Sequence, residues 1–142
     1  MLIHYTKKLI FLLLTCAATV VHAEVVSVDK AKQLAADFFT ASALERLSST
    51  DALDLAYTCS SASKPVYYVF NAHQESGYII ISADDCTTPV LGYSLEGHYD
   101  AESLPPAMNW MLHGLESEIK AAPNLQKPVS HAERRQMARR VA

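Results

Sequence analysis

The strongest constraint on the fold is a pair of β-prone runs that a short polar connection joins. Residues 66–70 read Val-Tyr-Tyr-Val-Phe and residues 78–81 read Tyr-Ile-Ile-Ile, and β-branched and aromatic side chains of this kind favour strands. The connection from Asn71 to Gly77 is polar and ends in glycine, which predicts a hairpin. Because parallel neighbours need a long crossover, a link of this length predicts an antiparallel sheet.

Two weaker strand patterns flank this hairpin. Leu53, Leu55 and Tyr57 alternate with polar or small residues, as in a half-buried strand. Residues 90–93 follow Pro89, whose missing N–H is tolerated at the start of a strand. We therefore expect about four antiparallel strands.

Helical patterns lie on both sides of the strands. Residues from Ser27 to Leu44 are predicted to form a helix with Ser27 as its N-cap, and its apolar stripe comprises Val28, Ala31, Leu34, Ala35, Phe38 and Phe39. A second helix begins near Pro105 and ends before Pro123, with His113 half-buried beside a stripe of Ala107, Trp110, Met111, Leu115 and Ile119.

A short basic helix is predicted at the C-terminal end. Ser130 and Glu133 have the spacing of a capping box, which predicts a helix from His131 to Arg140. This segment has little apolar surface to bury, so we expect it to be loosely held. The predicted fold class is α+β: an antiparallel sheet of about four strands packed by two helices, plus a short basic C-terminal helix.

The first 23 residues have the pattern of a secretory signal peptide. A basic start precedes a short apolar run, and Val21-His22-Ala23 fits a signal-peptidase site. We expect cleavage between Ala23 and Glu24, and an exported protein, periplasmic or secreted. A spanning helix needs about 20 apolar residues, so no transmembrane segment is expected in the mature form. A rival prediction is lipoprotein anchoring at Cys16, for which the preceding Thr15 is a poor match.

The charge divides the mature chain into a domain at residues 24–122 and a basic tail at residues 123–142. The domain has 14 acidic and five basic side chains, a net charge of −9. The tail has five basic side chains and one acidic side chain, a net charge of +4. Nucleic-acid binding would need basic charge on the folded body, so no nucleic-acid partner is expected.

The mature sequence offers no pattern for catalysis, for a metal or for a cofactor. Cys86 follows Asp84 and Asp85, and neighbouring carboxylates raise the pKa of a thiol, which disfavours a nucleophile. The acidic pair is expected to form a turn in which an aspartate caps backbone N–H groups. Cys59 and Cys86 can form a disulfide in an oxidising compartment, and the alternative is two separate, partly buried thiols.

The segment from Val66 to Lys120 resembles the prodomain of the streptopain family of cysteine peptidases and the related stand-alone streptopain inhibitors. The most specific match is the run Pro89-Val90-Leu91-Gly92-Tyr93-Ser94, and the other matching segments are 67–71, 77–85 and 97–100. Cys86 departs from the family pattern, which usually has a charged or small residue there.

The resemblance implies that the loop before the last prodomain helix enters the peptidase cleft and disturbs the catalytic histidine. Transferred by motif, that loop comprises Asp100, Ala101, Glu102, Ser103, Leu104, Pro105 and Pro106. Leu104 is expected to fill an apolar pocket of the peptidase. The two prolines lock φ and lack N–H donors, so the loop should be a poor substrate. Without the resemblance, the same segment is a helix-entry loop that contacts nothing.

The expected function is therefore an exported inhibitor of a streptopain-type cysteine peptidase, and not an enzyme. Peptidases of this family carry a catalytic domain after the prodomain, and this sequence stops at Ala142. We expect binding in trans through an interface of roughly 1,600 Å². Two alternatives stay open: a remnant of a peptidase cut before its catalytic domain, and an exported binding module that inhibits nothing.

Overall fold

The computed structural model describes residues 24–42, 49–124 and 127–142. Ala23, Cys16 and the predicted helix end at Leu44 lie outside this range. The helices within it are α1 (Val28–Ala41), α2 (Pro106–Ala121) and α3 (His131–Val141), and the strands are β1 (Leu53–Ser61), β2 (Lys64–Ala72), β3 (Tyr78–Ser82) and β4 (Val90–Ser94). This element order confirms the predicted α+β class.

The four strands form one antiparallel sheet in the order β1-β2-β3-β4. The predicted hairpin is confirmed, with Phe70 opposite Ile79 and Tyr68 opposite Ile81. Successive strand residues point to opposite faces, so the continuous apolar runs of β2 and β3 make both faces of the sheet apolar. Each face must then be covered by a helix.

Helix α1 covers the first face of the sheet. Ser27 caps the helix by accepting a hydrogen bond from the Lys30 N–H at 3.3 Å. The predicted stripe is largely confirmed, since Leu34, Phe38 and their stripe neighbours are buried in one cluster with β-strand side chains, among them Leu53, Phe70, Ile79 and Ile81.

Helix α2 covers the second face, and the predicted stripe is confirmed at Leu115 and Ile119 but not over the first half of the helix. Its inward residues are Met108, Leu112, Leu115 and Ile119, which pack with Tyr67, Val69, Ile80 and Tyr99. The prediction that Trp110 and Met111 are buried is wrong, because Trp110 is 81% exposed and Met111 41% exposed. His113 is also exposed. The first half of α2 is apolar on several sides, so periodicity alone does not select the side that meets the sheet.

Helix α3 packs along α1, and the expectation that it is loosely held is wrong. Ala138 is fully buried in the α1 cluster. Asp37 of α1 is only 6% exposed and accepts hydrogen bonds from Arg135 and Arg139 of α3. The predicted capping box is confirmed, with Glu133 and Ser130 bonded to each other's backbone N–H groups. Long-range ion pairing and arginine burial therefore replace the apolar surface that α3 lacks.

The described part of the chain has no helix that is both long and apolar enough to cross a membrane.

Candidate functional site

The loop at residues 100–106 joins the end of the sheet to α2 and is exposed at every position except Leu104. Asp100 Oδ1 accepts the Glu102 N–H at 3.0 Å, and Asp100 Oδ2 accepts the Ser103 hydroxyl at 2.7 Å. Hydrogen bonds from Ser103 and Glu102 lower the pKa of Asp100 below its ordinary value. Asp100 therefore stays ionised and folds the loop into a tight turn, with Ala101, Glu102 and Ser103 exposed.

The start of the loop is fixed by Asn71 at the end of β2. Its Nδ2 donates to the Tyr99 carbonyl at 3.0 Å, and its Oδ1 accepts the Tyr99 N–H at 2.7 Å. The Tyr99 ring is buried, and its centroid lies 5.9 Å from that of Tyr78 and 5.8 Å from that of Tyr57. One amide side chain thus satisfies both backbone groups of the residue before the loop, a role that the sequence motif did not reveal.

Gly77 lets the β2–β3 connection pack against the segment from Ser94 to Gly97, which leads to the loop. Its φ of +109° is unfavourable for other residues, and a Cβ at this position would lie 2.0 Å from the Ser94 carbonyl oxygen. Its N–H donates to the Gly97 carbonyl at 2.9 Å. The β2–β3 connection therefore needs glycine here in order to pack against the segment that leads to the loop.

The end of the loop is fixed by Leu104 and the two prolines. Leu104 is half-buried and packs against the cluster under α2, so the one large apolar side chain of the loop faces its own domain. Pro105 is the N-cap of α2 and Pro106 is its first residue, where a missing N–H costs nothing. This placement favours a role for Leu104 in holding the loop rather than in filling a pocket of a partner.

Cys86 lies in a buried turn that disfavours nucleophilic chemistry. Its N–H donates to Asp84 Oδ1 at 2.7 Å, which confirms that the acidic pair caps a turn. Burial, followed by the charges of Asp84 and Asp85, raises the pKa of the Cys86 thiol to about 11. The thiol is therefore protonated near neutral pH. Asp84, Asp85 and Cys86 have ligand atoms within 4.8 Å of one another, and the bonds of Asp84 and Cys86 explain this proximity as turn structure.

The four histidines of the described residues contact groups other than Cys86. Across residues 24–42, 49–124 and 127–142, the histidine ring nitrogens contact other groups: His73 contacts Asp54 at 3.1 Å, His98 contacts Glu75 at 3.8 Å, His113 contacts Glu116 at 3.9 Å and His131 contacts Gln33 at 3.3 Å. Cys59 and Cys86 are both free and buried. The two thiols are separate in this structure, and their pairing in an oxidising compartment stays a prediction.

No sequence pattern predicts the role of Arg134, which holds the Asp84 turn from α3. The Arg134 residue is 1% exposed. Its guanidinium donates to the carbonyl oxygens of Asp84 at 2.7 Å, Thr87 at 2.8 Å and Ser82 at 3.1 Å. The partners lie about 50 positions earlier in the chain, so no local pattern could reveal them.

Comparison with known proteins identifies the family. The Spi protease inhibitor family matches residues 23–119, a range that includes the loop and almost all of α2. The chain is also 33% identical over 121 residues to the thiol protease/hemagglutinin PrtT of Porphyromonas gingivalis. This alignment covers 84% of the chain and 14% of the relative. No solved structure matches the chain. The resemblance inferred from the sequence is confirmed, and the chain belongs to the Spi protease inhibitor family.

Proposed function

We propose that the chain is exported and inhibits a streptopain-type cysteine peptidase by placing the loop at residues 100–106 in the active-site cleft. The main support for this proposal is the geometry of the loop. Asn71 and Leu104 fix its two ends, and Asp100 fixes its turn, while residues 101–103 stay exposed. The family supports a protease as the partner, and the thiol protease relative supports the cysteine class.

Because the loop is already ordered, its binding should cost less conformational entropy. Ordering a flexible loop on association consumes about 0.5–1.5 kcal/mol for each immobilised side chain, and the internal hydrogen bonds of this loop provide that order in advance. Pro105 and Pro106 offer no N–H to the cleft and lock φ. The loop can therefore occupy a cleft built for extended peptides and still be cut slowly.

A second candidate function is that of a propeptide, which would use the same loop within a longer thiol protease. The observation in its favour is that the chain spans 14% of a relative named as a thiol protease. A tethered segment acts at a high effective concentration, so it needs less intrinsic affinity than an inhibitor that acts in trans. The two functions therefore differ in affinity: as a separate protein, an inhibitor that acts in trans should bind the peptidase more tightly than a propeptide does.

The experiment is a titration of a streptopain-type peptidase with the purified protein. The hydrolysis of a small peptide substrate measures the peptidase activity that remains. We expect inhibition that rising substrate concentration relieves. The double variant Pro105→Ala/Pro106→Ala should be cut within the loop, because it regains two N–H donors and flexibility. Pro123→Ala, at an exposed position after α2, is the matched control and should stay intact.

Two outcomes contradict the proposal. If the protein binds the peptidase but substrate does not relieve the inhibition, the contact lies outside the cleft. If the protein inhibits only at concentrations far above that of the peptidase, the propeptide function is favoured instead.

A further inference from the structure

Helix α2 carries an exposed apolar patch on the side opposite to its buried stripe. Trp110 is 81% exposed and Met111 41% exposed. Pro106 and Ala107 lie one helical turn before Trp110, Gly114 lies one turn after it, and all three are exposed. Because residues three and four apart share a side of a helix, these residues form one surface. We call Pro106, Ala107, Trp110, Met111 and Gly114 the α2 outer patch.

The position of Trp110 is not explained by the core of the domain. The second face of the sheet is already covered by Met108, Leu112, Leu115 and Ile119, about half a helical turn away. A tryptophan left in water forgoes the burial of a large apolar surface. Exposed apolar patches on folded proteins commonly mark interaction sites.

We propose that the α2 outer patch is the second half of the peptidase-binding surface, with Trp110 as its anchor. This inference rests on the proposed function. The occupant is the peptidase itself, through an apolar depression beside its cleft. The patch begins at Pro106, which is also the last residue of the loop, so the two contacts form one continuous surface.

The size of a stable interface supports this assignment. A complex formed in trans uses about 20–30 residues on each side, and the loop offers only seven residues, of which all but Leu104 are exposed. Its single large apolar side chain, Leu104, packs against its own domain. The loop therefore lacks an anchor, and tryptophan is among the residues most often found as the energetic centre of an interface.

Gly114 adds a feature that suits a binding surface. A Cβ built on Gly114 would meet no atom within 4 Å, so packing inside the domain does not require glycine here. Glycine in a helix interior lowers helix stability. Gly114 leaves a flat surface one turn from Trp110, against which a side chain of the peptidase can lie.

The test compares inhibition constants of purified variants against a streptopain-type peptidase. Trp110→Ala is expected to weaken inhibition about 30- to 1,000-fold, and Gly114→Arg should weaken it by filling the flat surface. Val141→Ala removes an apolar side chain that is 51% exposed on α3 and should leave inhibition unchanged. Trp110 and Gly114 are exposed, so circular dichroism should show parent-like folding for all variants.

A second readout follows the same site directly. Trp110 is the only tryptophan of the chain, so protein labelled with 5-fluorotryptophan gives a single fluorine resonance. That resonance should shift and broaden when the peptidase is added.

The outcomes separate this inference from the proposed function. If Trp110→Ala and Gly114→Arg inhibit as well as the parent, the patch assignment is overturned while the proposed function stands. If the parent itself does not inhibit, the proposed function fails and the patch inference fails with it. If Trp110→Ala abolishes self-association in sedimentation and leaves inhibition unchanged, the patch serves a second copy of the chain and the inference is overturned.

Discussion

Asn71 and Leu104 hold the loop at residues 100–106 from its two ends. Asn71 makes two hydrogen bonds to the backbone of Tyr99, and Leu104 packs into the cluster under α2. Neither side chain needs to contact a peptidase for the loop to depend on it. Both therefore act as positioning residues, whose loss should weaken inhibition by loosening the loop.

The variant Asn71→Asp tests this role with almost no change in size. The carboxylate still accepts the Tyr99 N–H but cannot donate to the Tyr99 carbonyl. We expect the free energy of unfolding to fall by about 1–3 kcal/mol, since a buried acceptor loses its donor, and the inhibition constant to rise. Gln136→Glu, at an exposed position of α3, adds the same charge as a control. Equal inhibition by Asn71→Asp and the parent would show that the loop does not depend on this anchor.

Trp110 shows where single-residue prediction fails. Its apolar side chain fits a core stripe as well as an interface, and the sequence does not distinguish burial within the domain from exposure beside it. The structure separates the two because Leu112 and Ile119 face the sheet, which leaves Trp110 outside.

At the scale of elements, α3 is an integral part of the fold. Arg134 bonds three carbonyls around the Asp84 turn, and Arg135 and Arg139 pair with Asp37 of α1. The helix itself was predictable from its capping box, because that signal is local. Its packing was not predictable, because each partner lies far away in the sequence. The arginine-rich pattern is also typical of a solvent-exposed helix.

Replacing Arg134 with Met should destabilise the domain strongly. The three carbonyl oxygens lose a charged donor in a buried place, and methionine cannot replace it. We expect the free energy of unfolding to fall by about 2–4 kcal/mol in urea denaturation. Arg140→Met, at an exposed position of the same helix, should change it by less than about 0.5 kcal/mol. Similar losses in both variants would contradict the assignment of Arg134 as a stabilising contact between α3 and the Asp84 turn.

Asp37 should make the attachment of α3 sensitive to acid. Burial raises the pKa of Asp37, but the hydrogen bonds and charges of Arg135 and Arg139 outweigh burial and hold it below its ordinary value of 3.8. The unfolded chain then binds a proton more readily than the folded one. The stabilisation is fully present above the unfolded-state pKa of about 3.9 and is lost as pH falls through the lower folded-state pKa.

Unfolding of Asp37→Asn across pH tests this linkage. Near neutral pH the variant should be less stable than the parent by about 1–3 kcal/mol, and this difference should shrink as the pH falls below about 4. Asp51→Asn, which is exposed, should track the parent throughout. A difference between Asp37→Asn and the parent that stays constant in acid would contradict the ion-pair account.

At the scale of the whole molecule, the sheet and its order follow from the sequence because hairpins leave local signals. The β2–β3 connection is short, and the four strands pair in chain order. The loop was located by family motif, and its internal order comes from contacts with Asn71 and the cluster under α2. Those contacts join residues far apart in the chain, so they needed the structure.

Export is the whole-molecule prediction that depends on the first residues of the chain. The basic start, apolar run and Val21-His22-Ala23 predict a mature N-terminus at Glu24. Intact mass and N-terminal sequencing of the protein from its exporting cell should find that terminus. A lipid-modified Cys16 at the N-terminus would contradict the prediction.

The most direct test of the central claim is the rate at which a small alkylating reagent modifies the catalytic cysteine of a streptopain-type peptidase. Peptide mapping distinguishes that cysteine from Cys59 and Cys86 of this chain, which are buried. A loop in the cleft covers the catalytic thiol, so saturation with the purified protein should slow its modification at least about tenfold, equivalent to about 1.4 kcal/mol of protection. Undiminished alkylation in a complex that has formed would contradict the account.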